Sequence, residues 1–351
     1  MGRALGATFL LLWAGCAGFW PLGATAVADD FYKGKTISII TSEGPGGGSY
    51  GYADLVAQNI GRYLPGNPSV IIQAMPGASG LIATNHIYQS AARDGTVLGM
   101  PLTTALFAPI FGDPGARYKP DGFTWIGNLD QATDTCVYWK ASGVTGMDYL
   151  MHHEVTFAAS GPAGVGSQLP RAMNALIGTH AKVIHGYQGT GNMQVAMQRG
   201  EVQASCTYML SALTSTMKAF YESGQLVPFI QFSHKSDQLP NVPHILDYAK
   251  TDEDKDVFKL IFQRDIVGRA IVAPPQIPAE RATELRAAFE KVVRDPAFLA
   301  DAEKRGLPID PLSGAQDDAF VKDLMAVPAT AVARANAVLA SGLEGVGAAA
   351  K

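Results

Sequence analysis

The chain of 351 residues carries 27 basic and 31 acidic side chains, a formal charge of −4, 47% apolar residues and three cysteines. Mild acidity with no basic patch argues against nucleic acid or an anionic membrane surface as a partner. The length suffices for two cores of ordinary domain size.

Met1 to about Ala28 has one basic residue, Arg3, then an apolar run through Trp20 and the small residues Ala26-Val27-Ala28 that a signal peptidase needs. It reads as a secretory signal cut near Ala28, and nothing after it is long and apolar enough to cross a bilayer. Cys16 after Ala14-Gly15 hints at a lipoprotein signal, but Trp13 stands where such a signal wants a small aliphatic residue. Without Arg3 the charge of −4 becomes −5. The mature chain keeps Cys136 and Cys206 in a compartment that permits disulfides. Both lie in apolar strand-like runs, so a bridge and two buried free thiols both stay open. No further ligand type clusters with them, and no metal site is expected.

Thr36 to Leu64 organises the rest. Ile37, Ile39 and Ile40 form a short β-branched run bounded by Glu43, Gly44 and Pro45. After three glycines, Tyr52, Leu55, Val56, Ile60, Tyr63 and Leu64 recur at helical spacing. Strand, glycine loop and helix in that order put the loop at the carboxyl edge of an α/β sheet. There, bare backbone N–H groups and a helix N-terminus favour an anionic or strongly accepting ligand.

A second strand, Val70 to Gln73, ends in the loop Met75 to Gly80; a helix through Tyr88 follows, then a strand from Val97 to Met100 leading to Thr103. The run Phe123 to Trp139 is extended with few breakers and reads as a crossing between lobes. The opening motif then recurs as strand Glu154 to Ala159, glycine loop Ser160 to Ser167 with Ser167 as N-cap, and a helix carrying Leu169, Met173, Leu176 and Ile177. Strand Lys182 to His185, the loop Gly186 to Gly191, a helix ending near Arg199 and the Cys206 strand with Thr207 and Tyr208 complete a second lobe. Ser233 to Lys255 reads as an irregular connector, Ile266 to Pro274 as a returning strand, and Gly314 to about Ala340 as helical.

Eight short pieces carry a resemblance. PGGGS at Pro45 to Ser49, MPGASG at Met75 to Gly80, DGTVLGM at Asp94 to Met100 and AGVGS at Ala163 to Ser167 come first. GYQGTG at Gly186 to Gly191, RGEVQ at Arg199 to Gln203, LPNVP at Leu239 to Pro243 and VAPPQIP at Val272 to Pro278 follow. In this order, over nearly the whole mature chain, they resemble the extracytoplasmic receptors of tripartite tricarboxylate transporters, the Bug-type family.

The resemblance implies an α/β, two-lobed Venus-flytrap fold of the second periplasmic-binding-protein type, each lobe a mostly parallel sheet flanked by helices. Residues 29–128 with 264–351 would form lobe 1, with the C-terminal helices packed on it, and residues 129–263 lobe 2. It implies a periplasmic, monomeric receptor, without catalysis or cofactor, that captures a small organic acid for membrane transporter subunits. Carried over by position, Gly46, Gly47, Gly48 and Ser49 form one jaw and Gly164, Val165, Gly166 and Ser167 the other. Ser79, Thr103, Gln188 and Thr207 are lesser additions.

The sequence also departs from the family pattern. Tyr50 stands where an acid or amide usually follows the loop hydroxyl, Thr207-Tyr208 replaces another acid or amide pair, and Glu43 adds a carboxylate beside the loop. A bare carboxylate ligand would be repelled by Glu43, and Arg269 is a candidate to offset that charge or to clamp the ligand. A salt bridge at the surface or between lobes is the plainer reading of Arg269. Tyr50 and Tyr208 could present aromatic faces to an aromatic acid, or simply pack.

Two enzyme readings fit the opening loop. Gly46 to Gly51 satisfies G-x-G-x-x-G, yet the second strand ends in Gln73-Ala74-Met75 with no acid for a ribose. Gly47 to Gly51 satisfies the G-x-S-x-G elbow, making a secreted serine hydrolase built on Ser49 the alternative function, but no later histidine sits in a loop that the pattern makes catalytic.

Overall fold

The computed structural model describes Gly2 and residues 31–162, 164–187 and 189–341. The expected signal peptide and the candidate Gln188 lie outside the described residues. In chain order the first elements are β1 (Thr36–Thr41), α1 (Gly48–Ala57), β2 (Ser69–Ala74), α2 (Leu81–Gln89), β3 (Val97–Met100), α3 (Thr103–Leu106) and β4 (Thr124–Asn128). A second group runs β5 (Asp134–Trp139), α4 (Met147–His152), β6 (Val155–Ala159), α5 (Val165–Ile177), β7 (Ala181–His185), α6 (Gly189–Gln198), β8 (Ala204–Met209), α7 (Leu210–Thr214), α8 (Lys218–Glu222), β9 (Leu226–Gln231) and α9 (Asp252–Phe262). The chain then returns through β10 (Ala270–Ala273), α10 (Ala279–Val292), α11 (Pro296–Arg305), β11 (Leu312–Ser313), α12 (Gly314–Met325) and α13 (Ala329–Ala340).

These strands form two sheets, ordered β11-β4-β10-β3-β1-β2 and β7-β6-β8-β5-β9. Each sheet is parallel where strand, loop and helix alternate: β1 with β2 and β3, and β6 with β7 and β8. Each turns antiparallel where the chain crosses between lobes, because β10 enters beside β3 and β4, and β5 enters between β8 and β9. β1 lies inside its sheet and buries both faces, Ile37 and Ile39 on one side and Ile40 on the other. A strand covered on both sides needs a continuous β-branched run, which is what the sequence supplies. Each such side chain contributes roughly 1.5–3 kcal/mol by leaving water.

Three segments differ from their sequence reading. The connector ends in a helix: the Thr251 hydroxyl accepts from Asp254 N–H while the Asp254 carboxylate accepts from Thr251 N–H, a reciprocal cap that starts α9. The returning strand is shorter than expected, because Arg264–Val267 is a 3-10 turn and β10 starts only at Ala270. The last helical stretch is broken at Pro328, whose missing N–H ends one helix and suits the start of the next. α12 packs on β4 of the first sheet, whereas α13 packs on α9 and α5 beside the second. The expectation that the C-terminal helices sit together on the first lobe therefore holds for α12 and not for α13.

Cys136 and Cys206 face each other across the β5–β8 pair, at a bulge in the register, and their sulfurs are bonded. Among the described residues, no helix is long and apolar enough to cross a membrane, and no three His, Cys, Asp or Glu side chains group as metal ligands do.

Candidate functional site

At the carboxyl end of β1 the chain turns through Ser42 and Glu43 into the first glycine loop, with the Thr41 hydroxyl donating to the Glu43 carbonyl at 2.7 Å. α1 then begins with Gly47 as N-cap, no capping side chain of its own and no acid in its first turn. Its charge partner comes from the turn after the strand instead: the Ser49 N–H donates to Glu43 Oε2 at 2.9 Å. Gly47 is glycine for a visible reason, since a Cβ there would lie 2.6 Å from the Glu43 Cβ and 2.9 Å from its carboxyl carbon. Gly46 has φ +92°, a left-handed conformation that side chains disfavour. The Ser49 and Ser42 hydroxyls are buried and have no hydrogen-bond partner among the described residues. Tyr50, next along, is half-buried.

The neighbouring loops converge on the same edge. Ser79 is exposed at φ +52°. A Cβ on the adjacent Gly80 would lie 3.1 Å from the Ser42 hydroxyl, and one on Gly268 would lie 3.5 Å from the Thr103 hydroxyl. Arg269 reaches the first turn of α1, its Nη2 lying 3.5 Å from where a Gly48 side chain would start. Its guanidinium also donates to the Gly268 carbonyl, stands over the Tyr52 ring and hydrogen-bonds the Tyr52 hydroxyl. The side chain thus answers internal groups on two elements rather than a surface partner.

Four carboxyl groups lie around the crossings. Burial pushes Asp130 up to about 6, against the pull of Arg269 and with a push from Asp310. Burial, and after it the Asp265 carboxylate, pushes Asp134 up to about 7, with the Ser233 hydroxyl and Arg269 opposing. Asp130 and Asp134 bracket the first crossing; Asp265 and Arg269 occupy the return. A cavity of about 630 Å³ opens beside this hinge, lined by Asp130, Thr133, Ser211, His234 and Pro308 among others, and no glycine-loop residue lines it.

The second glycine loop leads from β6 into α5. Here Gly164 is the N-cap, so Ser167 falls within the first turn rather than at the cap expected for it. The buried Ser167 hydroxyl instead lies 3.0 Å from His185 Nε2, at the carboxyl end of β7. Gly166 meets Thr207 so closely that a Cβ would stand 2.4 Å from its Cγ2. Thr207 Oγ1 in turn lies 3.0 Å from the Ser205 hydroxyl and donates to Met193 Sδ. Val165 is exposed, and Arg171 fastens the loop from behind by donating to the Ser167 and Pro162 carbonyls. Tyr208 is fully buried with its hydroxyl donating to the Thr190 carbonyl, so it packs and offers no aromatic face.

The structure thus groups Gly46 to Ser49, Thr103 and Arg269 at one sheet edge, and Gly164 to Ser167 with Thr207 at the other. His185 is the residue that the sequence reading passed over. Its position as the last residue of a parallel strand, just before Gly186, was the available signal.

No family model matches the chain. It is 23% identical over 281 residues to a UPF0065 protein encoded in the TAR-I ttuE-ttuC' intergenic region of Agrobacterium vitis, covering 78% of this chain and 76% of that protein. Among solved structures it is similar to a TctC solute-binding protein from Polaromonas, with a TM-score of 0.65, 18% identity, and coverage of 84% of this chain and 99% of that one. It is also similar to Rpa4515 of R. palustris, solved with adipate, with a TM-score of 0.56, 17% identity and coverage of 86% and 97%. These likenesses show the fold, which is the two-lobed periplasmic-binding-protein type.

Proposed function

We propose that this protein is an extracytoplasmic solute-binding receptor that captures a small organic anion between its two lobes for membrane transporter subunits, without catalysis. One observation carries the reading: a single chain places two glycine loops, each opening a helix, at the carboxyl edges of two separate sheets. Each loop presents backbone N–H groups and the positive end of a helix, which suits an anion held from both sides. The adipate bound to Rpa4515 belongs to the same chemical class.

On this reading residues 29–128 and 264–328 form one lobe and 129–263 the other, with α13 laid on the second, the first 28 residues direct export to the periplasm, and the receptor works as a monomer. Gly46, Gly47, Gly48, Ser49, Tyr50, Ser79, Thr103 and Arg269 line the first jaw; Gly164, Val165, Gly166, Ser167, Gln188 and Thr207 line the second. Closure buries the ligand, and the closed shape is what the transporter recognises. The serine-hydrolase alternative gains no support, since the Ser49 hydroxyl is buried and pairs with no histidine.

The test is a thermal-shift screen of the mature protein against small organic acids, with and without divalent cations, each hit being checked by calorimetry. A ligand at 100 times its Kd should stabilise the protein by about 2.7 kcal/mol and be recovered unchanged. Turnover of a simple ester without any stabilising acid would overturn the receptor in favour of the hydrolase.

A further inference from the structure

The two glycine loops differ in charge. α5 starts with no acid in its first turn and no capping side chain, and its loop faces Thr207 and the Ser167–His185 pair. At α1 an internal carboxylate already stands where an anionic ligand group would bind: Glu43 accepts the Ser49 N–H and lies against Gly47. The hydroxyls of Ser42 and Ser49, in the same loop and helix start, are buried and have no hydrogen-bond partner among the described residues. Arg269, which reaches the first turn of the same helix, forms no ion pair with Glu43 among the described residues and is turned toward Tyr52, Asp130 and the Gly48 end of the helix. A second carboxylate brought to Glu43 would meet a like charge already holding the helix amide, whereas an N–H donor would find an acceptor.

We propose that Glu43 is a specificity-determining residue that sets the ligand class: small monocarboxylates carrying a nitrogen donor, either a primary amide or an ammonium, in preference to plain dicarboxylates. The nitrogen end lies at Glu43; the carboxylate is received by Arg269 and the second loop. This rests on the receptor reading and refines it. A Glu43 that served only as a helix cap would lower stability when replaced and leave ligand preference unchanged.

The experiment uses the mature chain and matched probes of four, five and six carbons: the diacid, its monoamide and the corresponding ω-amino acid, with affinities measured by calorimetry. For the wild type, the monoamide or the ω-amino acid is expected to bind at least tenfold more tightly than the diacid of the same length. Glu43→Gln should remove or invert that ratio, and comparison of amide with amino acid shows whether the donor is charged. Diacids that bind the wild type as tightly as the nitrogen-bearing probes overturn the inference and leave the receptor intact, a result that needs no variant. An unchanged ratio in a folded Glu43→Gln protein does the same. No binding of any probe to either protein overturns the inference, and the receptor reading is then decided by the broader acid screen and the ester assay.

Discussion

Gly166 and Thr207 show how a single missing atom shapes the second loop. A Cβ at residue 166 would stand 2.4 Å from Thr207 Cγ2, far inside contact distance, so Gly166→Val must displace either the helix start or the strand end. Overpacking of this kind costs roughly 1–3 kcal/mol. Ligand affinity should fall by at least tenfold in calorimetry, because the loop amides would move. Thr207→Ser deletes the clashing methyl and keeps the hydroxyl, so the double variant should recover part of the loss, a coupling that a double-mutant cycle reads directly. Gly47→Val should fail for a different reason, by driving Glu43 off the Ser49 amide. The repeated glycines were legible in the sequence as loops between strand and helix at a sheet edge. The long-range contacts made by Thr207 and His185 were not, because these residues meet the second loop only through tertiary structure.

Among the elements, the strands and the helices after glycine loops could be read from period and composition. β1 announces itself through Ile37, Ile39 and Ile40, and α5 through Leu169, Met173 and Ile177, all of them buried. What escaped was set locally: Pro328 dividing α12 from α13, the Arg264–Val267 3-10 turn shortening β10, and the Thr251–Asp254 cap that turns a polar connector into α9. The β5–β8 pair answers the question left open over its cysteines. The bridge spans a separation of 70 residues, for which the chain-entropy account gives about 4 kcal/mol of stability. Thiol counting on unreduced, denatured protein should find none, and reduction should lower the Tm. Two free thiols would reject the bridge.

For the molecule as a whole, pH should act chiefly through buried acids. Asp317 in α12 has no hydrogen-bond partner for either carboxyl oxygen among the described residues, and burial pushes it up to about 8 despite the opposing Arg286. Asp134 and Asp130 at the crossings are pushed up to about 7 and about 6. An unfolded aspartate ionises near 4. Between that value and the folded ones the native state holds more protons than the unfolded state, so stability is complete below about pH 4 and declines as pH rises toward 8. Asp317→Asn should therefore raise the Tm at pH 8, by an amount on the order of a few kcal/mol in free energy, and leave it nearly unchanged at pH 4. Equal shifts at both pH values would show that the carboxyl group is not held neutral.

The path of the last helix has a practical consequence. Tyr32, near the start of the described chain, is buried in the core beside the first sheet, while α13 leans on α9 and α5, and the Ser341 carbonyl accepts from Arg171 of α5. The two ends of the described chain therefore ride on different lobes. Donor and acceptor fluorophores attached at these ends would report the separation of the lobes by energy transfer, so that, on the receptor reading, solute capture would become an optical signal that needs no knowledge of what the solute is.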